Sequence, residues 1–453
     1  MDFTISKDLT IRGLTPEQRD ILERHFSFEN PAYVDAIQFN RSTYGVKRTI
    51  KLYKRDKGAL ILPRGGLYKA ISLVGKPDKI IDETAVFEKR VIPSKITLRA
   101  LQQPWVDNML AHRQGLGVAP AAGGKTVMAL QIISTLGLPT LWLTHRQDLV
   151  NQLKERAGFF IEAGHIGTIG GGVYDLGEII TVGMLQTLAK RDITELAKMF
   201  GLVIIDEAHI TPALQAMAVV RQLSPRYLYG LTATPYREDR LEQLMFDTIG
   251  PTIALLERED VVEAKGIIPA NVIVRDTKVT FNSFTPPDFR DVINYLVEHA
   301  ERNMQIVQDV VTEVALGNIC IVLTSRVEHG KTLKELVEKY GIECEHLHSQ
   351  LSKKVREAAL KRFTTGKIPL IIATYQLLST GFDHQPTNRI FFALPHKAKS
   401  LIEQSKGRIE RSCPGKEDAL VYDYVDRIKM LQRQFDHRCE QYQEHNLIIT
   451  FPK

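Results

Sequence analysis

Cysteine is scarce in this chain of 453 residues, and the four that occur lie far apart. They are Cys320, Cys344, Cys413 and Cys439. No C-x-x-C pair and no histidine pair at zinc-finger spacing accompanies them, so we expect reduced thiols of a cytoplasmic protein and no zinc site. No apolar run approaches the roughly 18 residues of a membrane helix. The first residues also lack the basic and apolar regions of a signal peptide.

Charge of one sign is not in large excess, because 59 basic residues stand against 53 acidic ones. Hydrophobic residues make up 44% of the chain, which excludes a disordered protein and leaves apolar material for about three domains. The positive charge is concentrated near the N-terminus, where nine basic residues between Arg41 and Lys69 face one acid, Asp56. A nucleic-acid contact is one interpretation of this window, and a solvated surface is the other.

Residues 1–95 predict a small α+β module. Thr15 to Gln18 supply an N-cap, a proline at the first helical position and a capping-box glutamine, so a helix should run to about Phe26. Residues 49–54 alternate with period two, and a polar link joins them to the apolar run 59–62. The two runs predict a β-hairpin.

Residues 96–250 and 251–453 consist of strand–loop–helix units. Their short apolar runs end in polar residues, which is typical of buried parallel strands with functional groups at their carboxyl ends. These runs are 140–143, 202–205, 227–231, 319–323, 370–373, 389–393 and 419–422. The predicted fold class is therefore α/β, with two parallel-sheet lobes in tandem behind the N-terminal module and a short helical tail at the end of the second lobe.

Small residues precede a predicted helix at 119–126, whose sequence is APAAGGKT. A phosphate-binding loop needs backbone N–H groups that close on the phosphates, a lysine for the β- and γ-phosphates and a hydroxyl for Mg²⁺. Lys125 and Thr126 fit the last two roles. The candidate cradle residues are Ala122, Gly123 and Gly124. Ala119 replaces the first glycine of the strict pattern, and an ordinary turn before a helix is the alternative interpretation.

Two further segments carry charged groups in patterns that suit phosphate chemistry. Asp206 and Glu207 follow the apolar run 202–205, so one carboxylate can bind Mg²⁺ and the other can act on water. Gln404, Arg408 and Arg411 are spaced i, i+4, i+7, which predicts one face of a helix. Guanidinium groups there could stabilise charge on a γ-phosphate. A solvated loop and a solvated basic helix are the alternatives.

Taken together and in order, these motifs resemble those of the superfamily 2 helicases. The matching segments are 98–102 (Q motif), 125–126 (motif I), 144–146 (motif Ia), 206–209 (motif II, in its DEAH form), 232–235 (motif III), 323–326 (motif IV), 373–383 (motif V) and 404–411 (motif VI). Residues 233–237 and 374–376 are also similar to the DNA motors related to RecG, XPB and the phage branch-migration helicases of the UvsW kind.

The resemblance implies two RecA-like lobes that bind ATP and Mg²⁺ between them. Its nucleotide-binding residues would include Arg99, Gln102, Gly381 and Asp383 besides the loop, with Mg²⁺ held by Thr126 and Asp206. Its residues for coupling the nucleotide to movement would be His209, Thr232 and Thr234. Its catalytic residues would be Lys125, Glu207, Gln404, Arg408 and Arg411.

We expect nucleic-acid contacts mainly to phosphates, because a translocating motor must accept any base sequence. The strand-end candidates are His145, Arg146, Gln186, Thr187, Ser325, Arg326 and Thr374. The N-terminal candidates are Lys47, Arg48, Lys51, Lys54 and Arg55, with Tyr44 and Tyr53 among them. Each strand-end residue could instead belong to a plain surface turn, and the basic run could be a solvated face.

The resemblance implies an ATP-dependent DNA helicase that unwinds or branch-migrates forked and junction DNA in replication, recombination or repair, in a bacterial or phage-infected cell. We expect a monomer that acts on branched, duplex and single-stranded DNA, has no membrane partner, and has replication or recombination proteins as candidate partners. Two alternatives stay open: a translocating subunit of a restriction or remodelling complex, and a binding or annealing protein gated by ATP. Polarity and the choice between DNA and RNA also stay open.

Overall fold

The computed structural model describes residues 1–209, 213–234, 241–281, 288–375, 384–396, 399–444 and 447–451, apart from the side chains of residues 148, 213–216, 399–401 and 403–404. Contacts between residues divide the chain into two compact units, Met1–Asp260 and Val261–Lys453. The first unit holds the N-terminal α+β module and one α/β lobe, and the second unit holds another α/β lobe. The predicted fold class is confirmed.

The N-terminal module combines a five-stranded sheet with helices that cover it. Its elements are β1 (Asp2–Ile5), β2 (Asp8–Arg12), α1 (Pro16–His25), β3 (Ser27–Glu29), α2 (Pro31–Gln38), β4 (Thr49–Lys51), β5 (Lys54–Asp56), β6 (Ala59–Pro63), α3 (Leu67–Val74) and β7 (Lys79–Asp82). The strand order in the sheet is β5-β6-β2-β1-β7. The predicted first helix is confirmed, because Thr15 and Gln18 form a capping box at the start of α1.

The predicted β-hairpin is present, but it begins later in the chain than the alternating run indicates. β5 and β6 pair antiparallel across a turn at Lys57 and Gly58, which both have positive φ. Residues 49–51 form β4, which pairs with β3 instead. Leu52 lies between the two strands, and its side chain is buried in the core of the module. The prediction of one strand over 49–54 is therefore wrong.

The first lobe is built on a sheet whose described residues form eight strands. Its elements are α4 (Gln102–Ala111), β8 (Gln114–Val118), α5 (Lys125–Leu136), β9 (Thr140–Thr144), α6 (Gln147–Phe160), β10 (Gly167–Gly170), β11 (Val173–Asp175), β12 (Ile180–Met184), α7 (Leu185–Leu188), β13 (Leu202–Ile205), α8 (Ala213–Val220), β14 (Tyr227–Thr232), α9 (Glu242–Ile249), β15 (Thr252–Leu255) and α10 (Arg258–Glu263). The order is β11-β10-β12-β9-β13-β14-β8-β15. All neighbours are parallel except β10 and β11, so the strands predicted here are confirmed.

The N-terminal module is fixed to the first lobe by buried polar contacts. Arg64 is 3% exposed and donates to the Oε1 atom of Gln114 at 2.8 Å and to the carbonyl oxygen of Pro225 at 2.6 Å. Arg221 of the lobe donates to the carboxylate of Asp8 at 2.8 Å. Arg64 therefore belongs to an interface, and the positively charged window is not exposed over its whole length.

Replacement of Gly65 by alanine is expected to destabilise this interface. A Cβ atom at Gly65 would lie 2.6 Å from backbone atoms of Asp247, Thr248 and Ile249, which end helix α9 and cannot rotate away. Overpacking of this kind costs about 1–3 kcal/mol, so we expect the midpoint of thermal unfolding to fall by about 5 °C. Gly158→Ala is the matched control, because nothing lies within 4 Å of that Cβ position. Equal melting temperatures for both variants would contradict the interface.

The second lobe is a parallel sheet whose described residues form seven strands. Its elements are β16 (Ala270–Asp276), α11 (Phe289–Glu298), α12 (Ala300–Ala315), β17 (Cys320–Thr324), α13 (Val327–Glu338), β18 (Cys344–Leu347), α14 (Lys353–Thr364), β19 (Leu370–Thr374), β20 (Arg389–Phe392), α15 (Lys399–Ile409), β21 (Ala419–Val425), α16 (Lys429–Glu444) and β22 (Ile449–Thr450). The order is β18-β19-β17-β20-β21-β16-β22. The four strands predicted in this lobe are confirmed within one to three residues.

The apolar faces of both central sheets are buried, and the cysteines take part in this packing. Cys320 and Cys344 are buried free thiols, and burial raises the pKa of Cys344 to about 12. Cys413 and Cys439 are also free and are partly exposed. In the part of the chain that the structure describes, no helix is both long enough and apolar enough to span a membrane.

Candidate nucleotide and nucleic-acid site

Four neighbouring strands of the first lobe carry predicted motifs at their carboxyl ends. In the sheet, β8 lies beside β14, β14 beside β13, and β13 beside β9. Val118 is level with Thr232 at the ends of β8 and β14, and Ile205 of β13 is level with Leu143 of β9. The segments that follow these strands therefore lie together at one edge of the sheet, where α/β proteins bind their ligands.

The loop between β8 and α5 has the conformation of an anion-binding cradle. Ala122 and Gly124 have positive φ values of 65° and 92°, and no side chain caps the start of α5. Lys125, the first residue of α5, donates to the carbonyl oxygens of Ala119 at 3.0 Å and Pro120 at 3.4 Å. Residues in these conformations turn backbone N–H groups toward a common point at a helix N-terminus. The loop therefore fits a triphosphate.

Gln102 connects the predicted Q motif to this loop. Its side chain is buried, its amide donates to the carbonyl oxygen of Gly123 at 2.9 Å, and its Oε1 atom accepts the backbone N–H of Arg99 at 3.0 Å. A Cβ atom at Gly124 would lie 2.5 Å from the amide nitrogen of Gln102. The positive φ of Gly124 and this close approach both favour glycine at that position.

Asp206 and Glu207 follow β13 and influence each other electrostatically. Burial and the adjacent Glu207 carboxylate raise the pKa of Asp206 to about 7, while Lys125 and a hydrogen bond from Trp142 act in the opposite direction. Glu207 has a positive φ of 46°, and its backbone N–H donates to Oδ1 of Asp206 at 3.0 Å. Such strained residues cluster at functional sites. The sequence pattern did not identify Trp142, because it lies on the neighbouring strand β9.

The oxygen donors near the loop suit Mg²⁺ that is bound together with a nucleotide. Thr126 is the second residue of α5 and is half-buried, and Asp206 supplies a carboxylate at the end of β13, two strands from β8 in the sheet. Mg²⁺ usually takes one or two protein oxygens and completes its shell with phosphate and water. Among the described residues, no cluster of three or more His, Cys, Asp or Glu side chains could hold a metal ion by itself. This donor set therefore fits the predicted role of Thr126 and Asp206.

Thr232 and His209 connect the end of β14 to the segment after β13. The hydroxyl of Thr232 donates its one proton to the carbonyl oxygen of Thr234. Thr232 Oγ1 and His209 Nδ1 are also joined by a hydrogen bond of 2.8 Å. The same nitrogen lies 3.6 Å from Oε2 of Glu207. His209 therefore lies between Glu207 and the end of β14.

In each lobe, the predicted nucleic-acid contacts lie at or just after the ends of two neighbouring strands. Thr144 of β9 is level with Met184 of β12, and Thr324 of β17 is level with Thr374 of β19. The candidates at or just after these positions are His145, Arg146, Gln186, Thr187, Ser325, Arg326 and Thr374. Of these, Gln186, Ser325 and Arg326 are exposed. Each lobe can therefore present polar side chains and the start of a helix to a phosphate backbone.

His145 is influenced electrostatically by the residues of motif II as well as by its neighbour Arg146. Burial and the neighbouring Arg146 lower its pKa, whereas Glu207 is near enough to act in the opposite direction. The lowered pKa favours the neutral form of the ring.

A buried network that the sequence did not indicate fixes the turn after β17. His329 accepts a hydrogen bond at Nδ1 from Thr324 and donates from Nε2 to Oδ1 of Asn303, each at 2.9 Å. Burial lowers the pKa of His329 to about 3, so the ring stays neutral. The backbone N–H of Arg326 donates to Thr324 at 3.3 Å. Asn303 lies in α12, and no local pattern could connect it with this turn.

The structure corrects one prediction about motif VI. α15 ends at Ile409, so Arg411 lies beyond the helix and forms a β-bridge with Ile267. The prediction that Arg408 and Arg411 share one helical face is therefore wrong. Glu410 is the physical reason, because its buried carboxylate accepts the backbone N–H at the start of β16 at 3.1 Å and holds the chain there.

Three further predicted residues lie outside the described part of the chain. Gly381 and Asp383 belong to an undescribed segment, and the side chain of Gln404 is not described. Their roles stay predictions.

The five basic residues of the predicted N-terminal surface are all exposed, but two of them form ion pairs. They are Lys47, Arg48, Lys51, Lys54 and Arg55. Arg55 donates two hydrogen bonds of 2.6 Å to Glu23, and Arg48 lies 3.6 Å from Glu29. The three lysines are therefore the stronger candidates for phosphate contacts. Of the two interleaved tyrosines, Tyr53 is half-buried and Tyr44 is 96% exposed.

Two family models match the chain, one in each lobe. Residues 95–237 match the model described as "Type III restriction enzyme, res subunit". Residues 299–413 match the model described as "Helicase conserved C-terminal domain". Together the two matches cover more than half of the chain, and they include motifs I to III and IV to VI.

Two curated relatives are similar to the chain in sequence, and one solved structure is similar to it in fold. The chain is 26% identical to the mimivirus protein named "Putative ATP-dependent RNA helicase L396" over 83% of this chain and 72% of the relative. It is 35% identical to the "DNA 3'-5' translocase XPB2" of Sulfurisphaera tokodaii over 39% of each chain. The solved structure of S. cerevisiae Dbp5 bound to RNA and ADP BeF3 matches 80% of this chain and 90% of its own, with 15% identity and a TM-score of 0.55.

Proposed function

The chain belongs to the superfamily 2 helicases, and we propose that it translocates on DNA and unwinds or branch-migrates forks and junctions. Dependence on ATP and action on nucleic acid follow from the family. The observation that best supports the proposal is the adjacency at the sheet edge of the first lobe, where nucleotide and nucleic-acid candidates follow neighbouring strands. A motor needs this adjacency, because hydrolysis must change the grip on the strand.

In the proposed site, the first lobe binds and activates the nucleotide. Lys125 and the backbone N–H groups of the loop bind the phosphates, and Thr126 and Asp206 hold Mg²⁺. When bound, Mg²⁺ neutralises charge on the phosphate oxygens. Glu207 accepts the proton of the attacking water.

In the proposed mechanism, the second lobe supplies positive charge to the γ-phosphate. His209 of motif II transmits the loss of that phosphate to β14. Arg408 and Arg411 stabilise the developing charge on the γ-phosphate, and Gln404 assists them as the family resemblance implies. When the γ-phosphate leaves, the contact between His209 and Thr232 transmits the change from Glu207 to β14.

DNA is the proposed substrate because the relative with the higher identity is named a DNA translocase, at 35% against 26% for the relative named an RNA helicase. The lysine surface of the N-terminal module supports contact with a second segment of nucleic acid. Lys51 and Lys54 of that surface lie on β4 and β5, and Lys47 precedes β4. A DNA junction offers a second segment of nucleic acid to this surface, whereas an isolated single strand does not.

The combined variant Lys47→Ala, Lys51→Ala and Lys54→Ala tests this substrate proposal. We expect the logarithm of affinity for forked DNA to depend less steeply on the logarithm of salt concentration, by about 0.9 for each phosphate that the variant no longer neutralises. Fluorescence anisotropy against salt measures it, with a forked RNA of the same sequence as the second ligand. We expect the RNA to bind more weakly than the DNA.

The matched control removes the same charge from other exposed positions. Lys76 and Lys79 are exposed beside and on β7, at the opposite edge of the five-stranded sheet, and Lys89 is exposed farther along the chain. Point variants are preferable to deletion of the module, because Leu244 of the lobe packs into the module's core. Equal salt dependence in both triple variants would contradict the lysine surface, and tighter binding of RNA would contradict the choice of DNA.

A further inference from the structure

One segment of the N-terminal module combines basic charge with exposed aromatic rings. Residues 39–54 contain five basic residues and no acidic residue. Residues 27–51, which comprise β3, α2, the following loop and β4, hold four of these basic residues together with Glu29 and Asp35, and we call them the basic arm. Phe39 and Tyr44 in its loop are 60% and 96% exposed. Both rings are available to a ligand, because neither is used in core packing.

Asn30 holds the base of the basic arm in a defined shape. Its side chain accepts the N–H of Ala32 at 3.1 Å and donates to the carbonyl oxygen of Lys47 at 2.9 Å, while its backbone N–H donates to the carbonyl oxygen of Arg48 at 2.8 Å. β3 and β4 pair directly beside this junction. The loop between α2 and β4 therefore projects from a fixed base.

The tip of the loop is a turn that directs Tyr44 into solvent. The backbone N–H of Tyr44 donates to the hydroxyl of Ser42 at 3.2 Å, and that of Val46 donates to the carbonyl oxygen of Thr43 at 3.0 Å. Gly45 has a positive φ of 76°, which favours glycine in the turn. Tyr44 therefore stands at the tip without packing against the module.

The ring of Phe39 contacts a basic group and remains accessible to solvent. The guanidinium of Arg41 lies 5.4 Å from the centre of the Phe39 ring, at cation–π distance. A ring with a guanidinium beside it attracts both the π-face of a base and a backbone phosphate. The same pairing occurs between Lys51, the last residue of the arm, and Tyr53, which follows the arm, at 5.8 Å.

From these observations we infer that the basic arm stacks Tyr44 and Phe39 on unpaired bases where a duplex opens into single strands. The inference rests on the proposed function, and it specifies which part of a fork the module binds. Duplex bases are already stacked and offer no face to an aromatic ring, whereas bases at an open junction do. The surrounding positive charge suits the phosphates of a nucleic acid. Lys47 and Arg48 lie close enough in the chain to bind the adjacent phosphates.

The experiment compares two forked DNAs that differ only in whether the unpaired nucleotides next to the junction carry bases. One fork carries thymines there, and the other carries abasic residues. Affinities of the full chain and of Tyr44→Ala, Tyr44→Phe and Tyr340→Ala are measured at one salt concentration. Tyr340 is the control, because it is a half-exposed tyrosine of the second lobe.

We expect Tyr44→Ala to bind the thymine fork about tenfold more weakly, the effect of losing one stacked base. It should bind the abasic fork as the wild type does, because there the tyrosine has nothing to stack on. Tyr44→Phe keeps the ring and should retain wild-type affinity for both forks, and so should Tyr340→Ala. Equal losses on both forks, or no loss on either, would overturn the inference. Failure of the wild type to unwind DNA would overturn the proposed function, whereas intact unwinding without this selective loss would overturn only the inference.

Discussion

Replacement of Lys125 by alanine is expected to lower the turnover number of ATP hydrolysis at least about a hundredfold, the loss typical of removing one donor that stabilises developing charge. Lys125 lies at the phosphate cradle, where it donates to the carbonyl oxygens of Ala119 and Pro120. It also opposes the rise of the Asp206 pKa, so its loss favours the protonated form of Asp206. A protonated carboxyl group binds Mg²⁺ poorly.

Steady-state ATP hydrolysis with saturating forked DNA measures this effect, and DNA affinity without nucleotide is the internal check. The fold should survive, because the side chain of Lys125 donates its hydrogen bonds to backbone atoms of its own loop. Lys198→Ala is a suitable control, since it removes an exposed lysine of the same lobe. Normal turnover of Lys125→Ala would contradict the assignment of the phosphate loop.

Replacement of Glu207 by glutamine is expected to lower the turnover number by about 10²–10⁴-fold while nucleotide binding is retained. The substitution preserves shape and removes the carboxylate that accepts the proton of water. Because the charge of Glu207 raises the pKa of Asp206, its removal should favour ionised Asp206 and leave the Mg²⁺ ligand intact. The expected pattern is a large loss of kcat with little change in KM.

Asp206→Asn separates the two carboxylates. It removes the proposed Mg²⁺ ligand, so both kcat and the affinity for ATP with Mg²⁺ should fall. Binding of a fluorescent ATP analogue, measured with and without Mg²⁺, distinguishes the variants. If Glu207→Gln lost nucleotide affinity as Asp206→Asn does, Glu207 would be a binding residue and its proposed role would be wrong.

Local patterns predicted the central sheets because parallel strands are short and buried on both faces. The runs at 202–205 and 227–231 form β13 and β14 nearly as expected, and the capping box at Thr15 starts α1. The loop at 119–126 was also identifiable, since its chemistry depends on adjacent residues. In each case the determining interactions lie within a few residues of one another.

Long-range contacts account for what the sequence did not predict. Arg64 appeared to belong to a basic surface, but Gln114 buries it in an interface. Residues 49–51 alternate like one strand of a hairpin, yet they pair with β3. Glu410 draws Arg411 away from the helical face, and Asn303 fixes the turn after β17 through His329. Each of these outcomes depends on a partner that sequence spacing does not indicate.

The central claim is that this chain converts ATP hydrolysis into movement along DNA. The most direct measurement is displacement of a labelled strand from forked DNA by the purified wild-type chain, with Lys125→Ala and a matched forked RNA measured in parallel. We predict displacement of the DNA strand that requires ATP and Mg²⁺, much less displacement from RNA, and none with Lys125→Ala. ATP hydrolysis by the wild type without displacement of a strand from any fork would contradict the claim.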